Sequence, residues 1–371
     1  MFSLAHISNM VEQAEIYPLA RKTRLQPLQP GVWLKREDEQ DVFSFKIRGA
    51  ANKIAKLSKA EKSGGVVCAS AGNHAQGVAK AATQIGVTAT IFMPVTTPEI
   101  KTKAVQKHGG KIQLFGDSYD EAYGAALHFS ERTGATLIHP FDDIDVIAGQ
   151  GTIASEILAE IKNPAAVYIG VGGGGLLSGI GAVLKTKSPK TKIIAVEPIG
   201  AATLKTSLDA GVPTSLNHVD GFADGVAVKR IGETTLALAK HIDPDIILVS
   251  NDEICAAVKI IFEATRTVVE PAGALALAGL LKHADRQTGE KIAIVSGANV
   301  NFDRIGHMVE RAELGAGEEV LFVASLPEKP GSFLKFCEAL GAHAVTEFNY
   351  RYSDADTAYV LVGIKIKSPE E

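Results

Sequence analysis

From about residue 65 onward, short apolar runs rich in β-branched residues alternate with longer alanine-rich segments, and this alternation constrains the fold more than any other feature of the chain. Residues 65–69, 87–92, 111–115, 165–171 and 192–197 read as strands, and 73–85, 99–108, 119–132 and 149–161 read as helices. Runs such as Ile193-Ile194-Ala195-Val196 are apolar without a polar alternate, the pattern of a parallel sheet covered on both faces. Repeated strand–helix units predict a doubly wound α/β fold, whose binding loops lie at the carboxyl ends of its strands.

The pattern changes near residues 311–318, a polar, glycine-containing stretch that reads as a linker. A strand over 320–324, a helix over 330–340 and extended runs over 344–352 and 358–367 follow, in the β-α-β-β order that makes up most of a ferredoxin-like unit. Ser368-Pro369 then has the look of a helix cap and first turn, so the tail is expected to be a truncated α+β domain. The length of 371 residues accommodates this division, with one domain over 1–315, a smaller subdomain inside it over about 48–145, and a tail over 316–371.

Composition removes several function classes. A net charge of -4, with Lys and Arg spread along the chain, offers no basic surplus for displacing counterions from nucleic acid. The longest apolar runs, such as 272–281, are too short to span a bilayer, and the first residues lack the basic and apolar regions of a secretory signal. Cys68, Cys255 and Cys337 are widely spaced and odd in number, which fits small buried side chains in a reducing cytoplasm better than a disulfide or zinc framework.

The chemistry concentrates in a few short segments. Ser44-Phe45-Lys46-Ile47-Arg48-Gly49-Ala50 sets a lysine between apolar residues at the entry to an alanine-rich helix. Phe43, Phe45 and Ile47 alternate with Ser44, Lys46 and Arg48, which predicts one buried face and Lys46 on the other. Such a lysine is either a solvated charge or an amine that bonds an aldehyde, and the second role requires partial desolvation. Ser70-Ala71-Gly72-Asn73-His74-Ala75-Gln76-Gly77 follows an apolar strand and reads equally as a capped helix and as an anion site built from exposed N–H groups. Gly170-Val171-Gly172-Gly173-Gly174-Gly175 satisfies G-x-G-x-x-G, with Glu197 spaced for a ribose contact, so a dinucleotide-dependent oxidoreductase is one reading. Crowded backbone amides serve any phosphate, however, and this turn sits mid-chain. Ser296, at the start of Ser296-Gly297-Ala298-Asn299, is either a cap or a pocket hydroxyl, and Glu270 is either a helix-start carboxylate or a group facing the site. Asp142 and Asp143 form no acid pair, and no histidines have metal-ligand spacing.

These segments resemble the fold-type II pyridoxal-phosphate enzymes and, among them, the biosynthetic threonine dehydratases (threonine ammonia-lyases). The resemblance covers nearly the whole chain, including 225–232, 270–274 and two stretches of the tail, 331–337 and 345–352, that belong to an ACT-like regulatory domain. It implies a tryptophan-synthase-β-like body of two doubly wound subdomains with pyridoxal 5'-phosphate as cofactor. Lys46 would bond the cofactor and act as base at the substrate Cα, with Asn73 at the cofactor's phenolic oxygen. Gly172, Gly173, Gly174, Gly175 and Leu176 would surround its phosphate. Ser296 would face the pyridine nitrogen, where a hydroxyl leaves the ring largely neutral. Ser70, Ala71, Gly72 and His74 would hold the substrate. The implied reaction converts L-threonine to 2-oxobutanoate and ammonia, with L-serine slower, as the committed step toward isoleucine. Isoleucine and valine are the candidate effectors of the tail, and a cytoplasmic homo-oligomer (dimer or tetramer) is expected. A serine dehydratase or serine racemase of the same fold is the nearest alternative.

Overall fold

The computed structural model describes residues 3–283, 288–352 and 356–367. An N-terminal hairpin of β1 (Leu25–Gln29) and β2 (Val32–Arg36) precedes β3 (Val66–Ala69), β4 (Ala89–Met93), β5 (Lys111–Leu114) and β6 (Thr136–Leu137). After these come β7 (Ala166–Gly170), β8 (Lys192–Pro198), β9 (Asp245–Val249) and β10 (Lys291–Val295). The strands form two sheets. One has the order β1-β2-β10-β7-β8-β9 and is parallel except for β1; the other has the order β5-β4-β3-β6 and is parallel throughout. Every residue of β3, β4 and β7 is buried, as expected of strands whose two faces are both covered by helices. The antiparallel β1 carries Pro27 and lies at the sheet edge, where a missing N–H does least harm. The expected doubly wound pair is therefore present, with strand ends within two residues of the sequence reading.

Two apolar clusters fill the opposite faces of the larger sheet, one around Ile147, Ile169 and Leu177, the other around Tyr168, Leu275 and Val295. A third, around Ile47, Ala75, Val78 and Ile91, joins the helix Lys46–Lys56 to the smaller sheet. Among the described residues, no helix is long and apolar enough to cross a membrane, and no group of three or more His, Cys, Asp or Glu is placed to hold a metal. Cys68 and Cys255 are buried thiols, and Cys337 is partly exposed.

Two sequence expectations change. The helix predicted over 149–161 is Ile144–Glu160, because the Asp143 carboxylate accepts the N–H groups of Asp145 and Val146 and starts the helix a turn and a half earlier. Asp142 caps the helix Glu233–Ile242 in the same way, accepting from Glu233 and Thr235. The expected linker at 311–318 is mostly helix: Ile305–Ala316 continues through it and buries Met308 and Ala312 against the larger sheet's apolar cluster, leaving only Gly317 and Glu318 as a turn.

The tail is an antiparallel sheet of β11 (Glu319–Pro327), β12 (Val345–Tyr352) and β13 (Thr357–Lys365) in the order β11-β13-β12, with the helix Ser332–Leu340 between the first two strands. This is the β-α-β-β order read from the sequence. The helix start expected at Ser368-Pro369 lies outside the described residues.

Candidate active site

The chain folds so that segments hundreds of residues apart meet at the carboxyl ends of the parallel strands. Ser296, one residue beyond β10, accepts the Phe45 N–H at 3.1 Å through its carbonyl, and Ala298 N–H donates to Phe43 O at 2.8 Å. Ser44 and Gly297 form a β-bridge between these bonds. A short backbone ladder thus stitches the Lys46 segment to the Ser296 turn. The alternation predicted for 43–48 does not survive. Phe43 adopts φ 55° and is 53% exposed, while Ser44 and Arg48 are fully buried. The left-handed residue turns the chain, and Lys46 already begins a helix, where a two-residue period has no meaning.

One chamber is lined by Lys46, Asn73, Gly172, Gly173, Gly174, Gly175, Leu176, Glu270 and Ser296, together with Phe141, Gln150, Gly225 and Val226. Lys46 and Glu270 are its only ionisable lining groups among the described residues. Lys46 is partly accessible, with its Nζ donating to Pro140 O at 2.9 Å inside the chamber. Burial lowers its pKa to about 8, with Glu270 drawing it partway back. Burial raises Glu270 to about 7, Asp224 adds to this, and the hydrogen bond from Asn73 opposes it. A lysine that is neutral part of the time near pH 8 is the nucleophilic form that aldehyde chemistry requires.

The tetraglycine turn has the form of a phosphate cradle. Gly174 sits at φ 89° as the cap of the helix Gly175–Lys187, and a side chain on Gly173 would meet the Phe141 ring at 2.2 Å. Among the described residues, no protein acceptor lies on the N–H groups of residues 173–176, although these residues are buried. Buried orphan donors at a helix start call for an anion. Asn73 opens the helix Asn73–Gln84, and its side chain faces the large-sheet subdomain. Ser296 Oγ donates to Ala272 O at 3.0 Å, and the residue lines the chamber.

Ser70, Ala71, Gly72 and His74 surround Asn73 but do not line the chamber with side chains. The His74 ring is buried and bonded to Ile138 O at 2.8 Å, and burial together with Lys46 holds its pKa down to about 3. Glu197 accepts from Leu204 and Lys205 at 2.6 and 2.9 Å, so both carboxylate oxygens cap the helix Thr203–Ala210. It has no face for a ribose, which overturns the dinucleotide reading of Gly170–Gly175.

A sequence model for pyridoxal-phosphate dependent enzymes matches residues 9–297, and one for the C-terminal regulatory domain of threonine dehydratase matches residues 310–371. The chain is 48% identical over 368 residues to the biosynthetic L-threonine dehydratase IlvA of Haemophilus influenzae, covering 98% of this chain and 72% of that protein. It is likewise 48% identical over 359 residues to the Escherichia coli L-threonine dehydratase biosynthetic IlvA, covering 96% and 70%. The chain belongs to the biosynthetic threonine dehydratase family. Among solved structures, the processed form of threonine deaminase isoform 2 from Solanum lycopersicum superposes with a TM-score of 0.82 at 43% identity, covering 84% of this chain and 88% of that one. Maize serine racemase superposes at 0.76 with 32% identity, covering 82% and 96%.

Dependence on pyridoxal phosphate follows from this membership, and the chamber fits the group: a desolvated amine, a cradle of unpaired N–H groups and a hydroxyl converge in it. Phe141 and Gln150 escaped the sequence reading as lining residues, and Asn299, although part of the Ser296 turn, was given no role of its own. Phe141 sits on a loop held by His139, whose Nδ1 accepts the N–H groups of Phe141 and Asp142. No short-range motif marks such a residue. Asn299 did carry a signal, as the last residue of the Ser296 turn.

Beneath Lys46 lies a buried ionic lattice. Arg48 donates to Glu37 at 2.7 and 2.8 Å and to Glu156 at 2.6 and 3.0 Å, with all three side chains essentially inaccessible. Lys35 also bonds Glu156, and Tyr17 reaches it from outside at 2.9 Å. Burial opposes the Arg48 charge, but the two glutamates hold its pKa above the usual range.

Proposed function

We propose that this chain removes water from L-threonine to give 2-oxobutanoate and ammonia, with L-serine a slower substrate, as the committed step toward isoleucine. The observation that carries the reading is a desolvated lysine, Lys46, sharing one chamber with the glycine cradle Gly172–Gly175.

When bound, pyridoxal phosphate supplies the electron sink that makes the substrate Cα proton acidic. Residues 172–176 would hold the phosphate with backbone N–H groups, and Ser296 would meet the pyridine edge with a neutral hydroxyl. Lys46 would hold the cofactor's aldehyde carbon while no substrate is bound. Its freed Nζ then removes the Cα proton as general base, a role suited to an amine whose pKa has fallen to about 8. Backbone N–H groups at the start of the helix Asn73–Gln84, in the Ser70–His74 loop, would take the substrate carboxylate and so orient the substrate for proton removal. The β-hydroxyl leaves with a proton as water. That water is restored when the released enamine hydrolyses, so the net products are the keto acid and ammonia. Residues 1–315 carry this chemistry, and the tail is the regulatory part, with isoleucine and valine as its candidate ligands. The match of residues 310–371 to a regulatory-domain model supports that division.

The test is a spectral titration of the cofactor-loaded protein with L-threonine, with the keto acid assayed in parallel. Threonine-dependent spectral change with stoichiometric 2-oxobutanoate is expected. Epimerised threonine without keto acid would instead favour a racemase.

A further inference from the structure

Asn73 is held at both polar ends by the large-sheet subdomain. Its Nδ2 donates to Glu270 Oε1 at 2.6 Å, and its Oδ1 accepts from Asn299 Nδ2 at 2.6 Å. The same Asn299 nitrogen donates to Val42 O at 2.8 Å. The backbone N–H of Asn299 also supports the Glu270 carboxyl.

The direction of every bond in this series follows from its first member. A backbone carbonyl can only accept, so Asn299 must present its nitrogen to Val42. That nitrogen has two hydrogens, and the second falls on Asn73. Asn73 must therefore present its oxygen to Asn299 and its nitrogen to Glu270. One Asn73 N–H is spent on Glu270, and the other is left to face the chamber. An amide whose two ends are otherwise interchangeable is thus oriented by a carbonyl two side chains away.

We propose that Asn299 and Glu270 are positioning residues that keep Asn73 a hydrogen-bond donor toward the phenolic oxygen of the bound pyridoxal ring. The inference rests on the reading of Asn73 as the residue at that oxygen. The arrangement also draws the start of the helix Asn73–Gln84 against the turn after β10, joining the two subdomains at the chamber.

Asn299→Asp separates orientation from packing. An aspartate of similar size cannot donate to Asn73 Oδ1, so Asn73 turns its nitrogen toward the new carboxylate and competes with itself for the cofactor. Asn299→Ala removes the clamp without reversing it. Glu270→Gln keeps an acceptor for Asn73, whereas Glu270→Ala does not. The readouts are the pH at which the bound cofactor's visible absorbance changes and the cofactor dissociation constant, both measured on loaded full-length protein. We expect Asn299→Asp to shift the spectral transition by about one pH unit and to weaken cofactor binding about fivefold, as for one lost hydrogen bond. Asn299→Ala should shift it less, and Glu270→Ala should shift it further than Glu270→Gln, since both lose the charge that acts on Lys46 and only glutamine keeps an acceptor for Asn73. A purely structural role would lower the melting temperature equally in both Asn299 variants and leave the spectral transition in place, and that result overturns the proposal. If Asn299→Asp cannot be loaded, the contrast between Glu270→Gln and Glu270→Ala decides, and equal spectra overturn it. Asn73→Ala is the control. An unchanged spectrum there rejects the Asn73 reading itself, whereas a shift in Asn73→Ala alone rejects only the clamp.

Discussion

The amine of Lys46 is the group on which the proposed chemistry turns, and its environment makes a pH prediction. Burial lowers its pKa from 10.5 to about 8, which means that the folded chain binds fewer protons there than the unfolded chain. Covalent uptake of the cofactor by apo protein should therefore accelerate with pH and level off above about 8; a midpoint near 10.5 would show an ordinary solvated lysine. By the same linkage, Lys46 costs the apo protein stability below pH 8, and this cost is recovered as pH rises from about 8 to 10.5. Lys46→Ala should abolish turnover, and borohydride reduction of the cofactor-loaded native protein should attach the cofactor to Lys46; labelling of another lysine would displace Lys46 from its role. Ser296→Asp is the second residue-scale prediction. A carboxylate at the pyridine edge keeps the ring nitrogen protonated and deepens the electron sink, so reprotonation at Cα competes with loss of the hydroxyl. The ratio of keto acid to epimerised threonine should fall, and an unchanged ratio with cofactor fully bound would remove Ser296 from the pyridine edge.

At the scale of elements, two devices fix where the chemistry sits. The glycine turn packs on Phe141, so Gly173→Ala should drive the cradle and the ring apart. We expect at least about tenfold weaker cofactor binding, roughly 1.4 kcal/mol, measured by equilibrium dialysis. The second device is the lattice that locks the helix Lys46–Lys56 against the helix Ile144–Glu160 and the β2 end, through Arg48, Glu156 and Glu37. Removing one partner from a buried charge cluster leaves the others uncompensated, so Arg48→Met should lower unfolding free energy by about 3–5 kcal/mol in urea titrations. A loss below about 1 kcal/mol would mean that the lattice is already hydrated and contributes as little as a surface pair. The sequence reading put Arg48 on the same exposed face as Lys46. A buried arginine is legible only through its partners, and Glu37 and Glu156 are 11 and 108 residues away.

Over the whole molecule, the catalytic body and the tail have separate cores. Among the described residues, none beyond Ala312 belongs to the apolar clusters of the larger and smaller sheets. The ion pairs Lys259–Glu318 and Lys365–Glu313 that reach across are solvent-exposed. Exposed pairs contribute at most about 1 kcal/mol each, so deleting residues 317–371 should leave cofactor affinity and threonine turnover within about twofold of the intact chain. A collapse of cofactor binding in the shortened protein would show that the tail is part of the body's folding unit, against the division proposed at 315.

The sequence by itself determined what depends on neighbours along the chain: the doubly wound class, the β-α-β-β tail, the lysine motif and the glycine turn. Each is written in local periodicity or in turn chemistry, where backbone sterics and helix capping act over a few residues. Tertiary structure alone decided which of those motifs became one chamber. It placed Ser296 against Phe45 across 250 residues of chain, committed Glu197 to a helix cap instead of a ligand, turned a supposed linker into helix, and set the direction of the Asn73 amide through Asn299 and Val42. These outcomes depend on which donors and acceptors meet after packing, and a linear sequence carries no local signal for that.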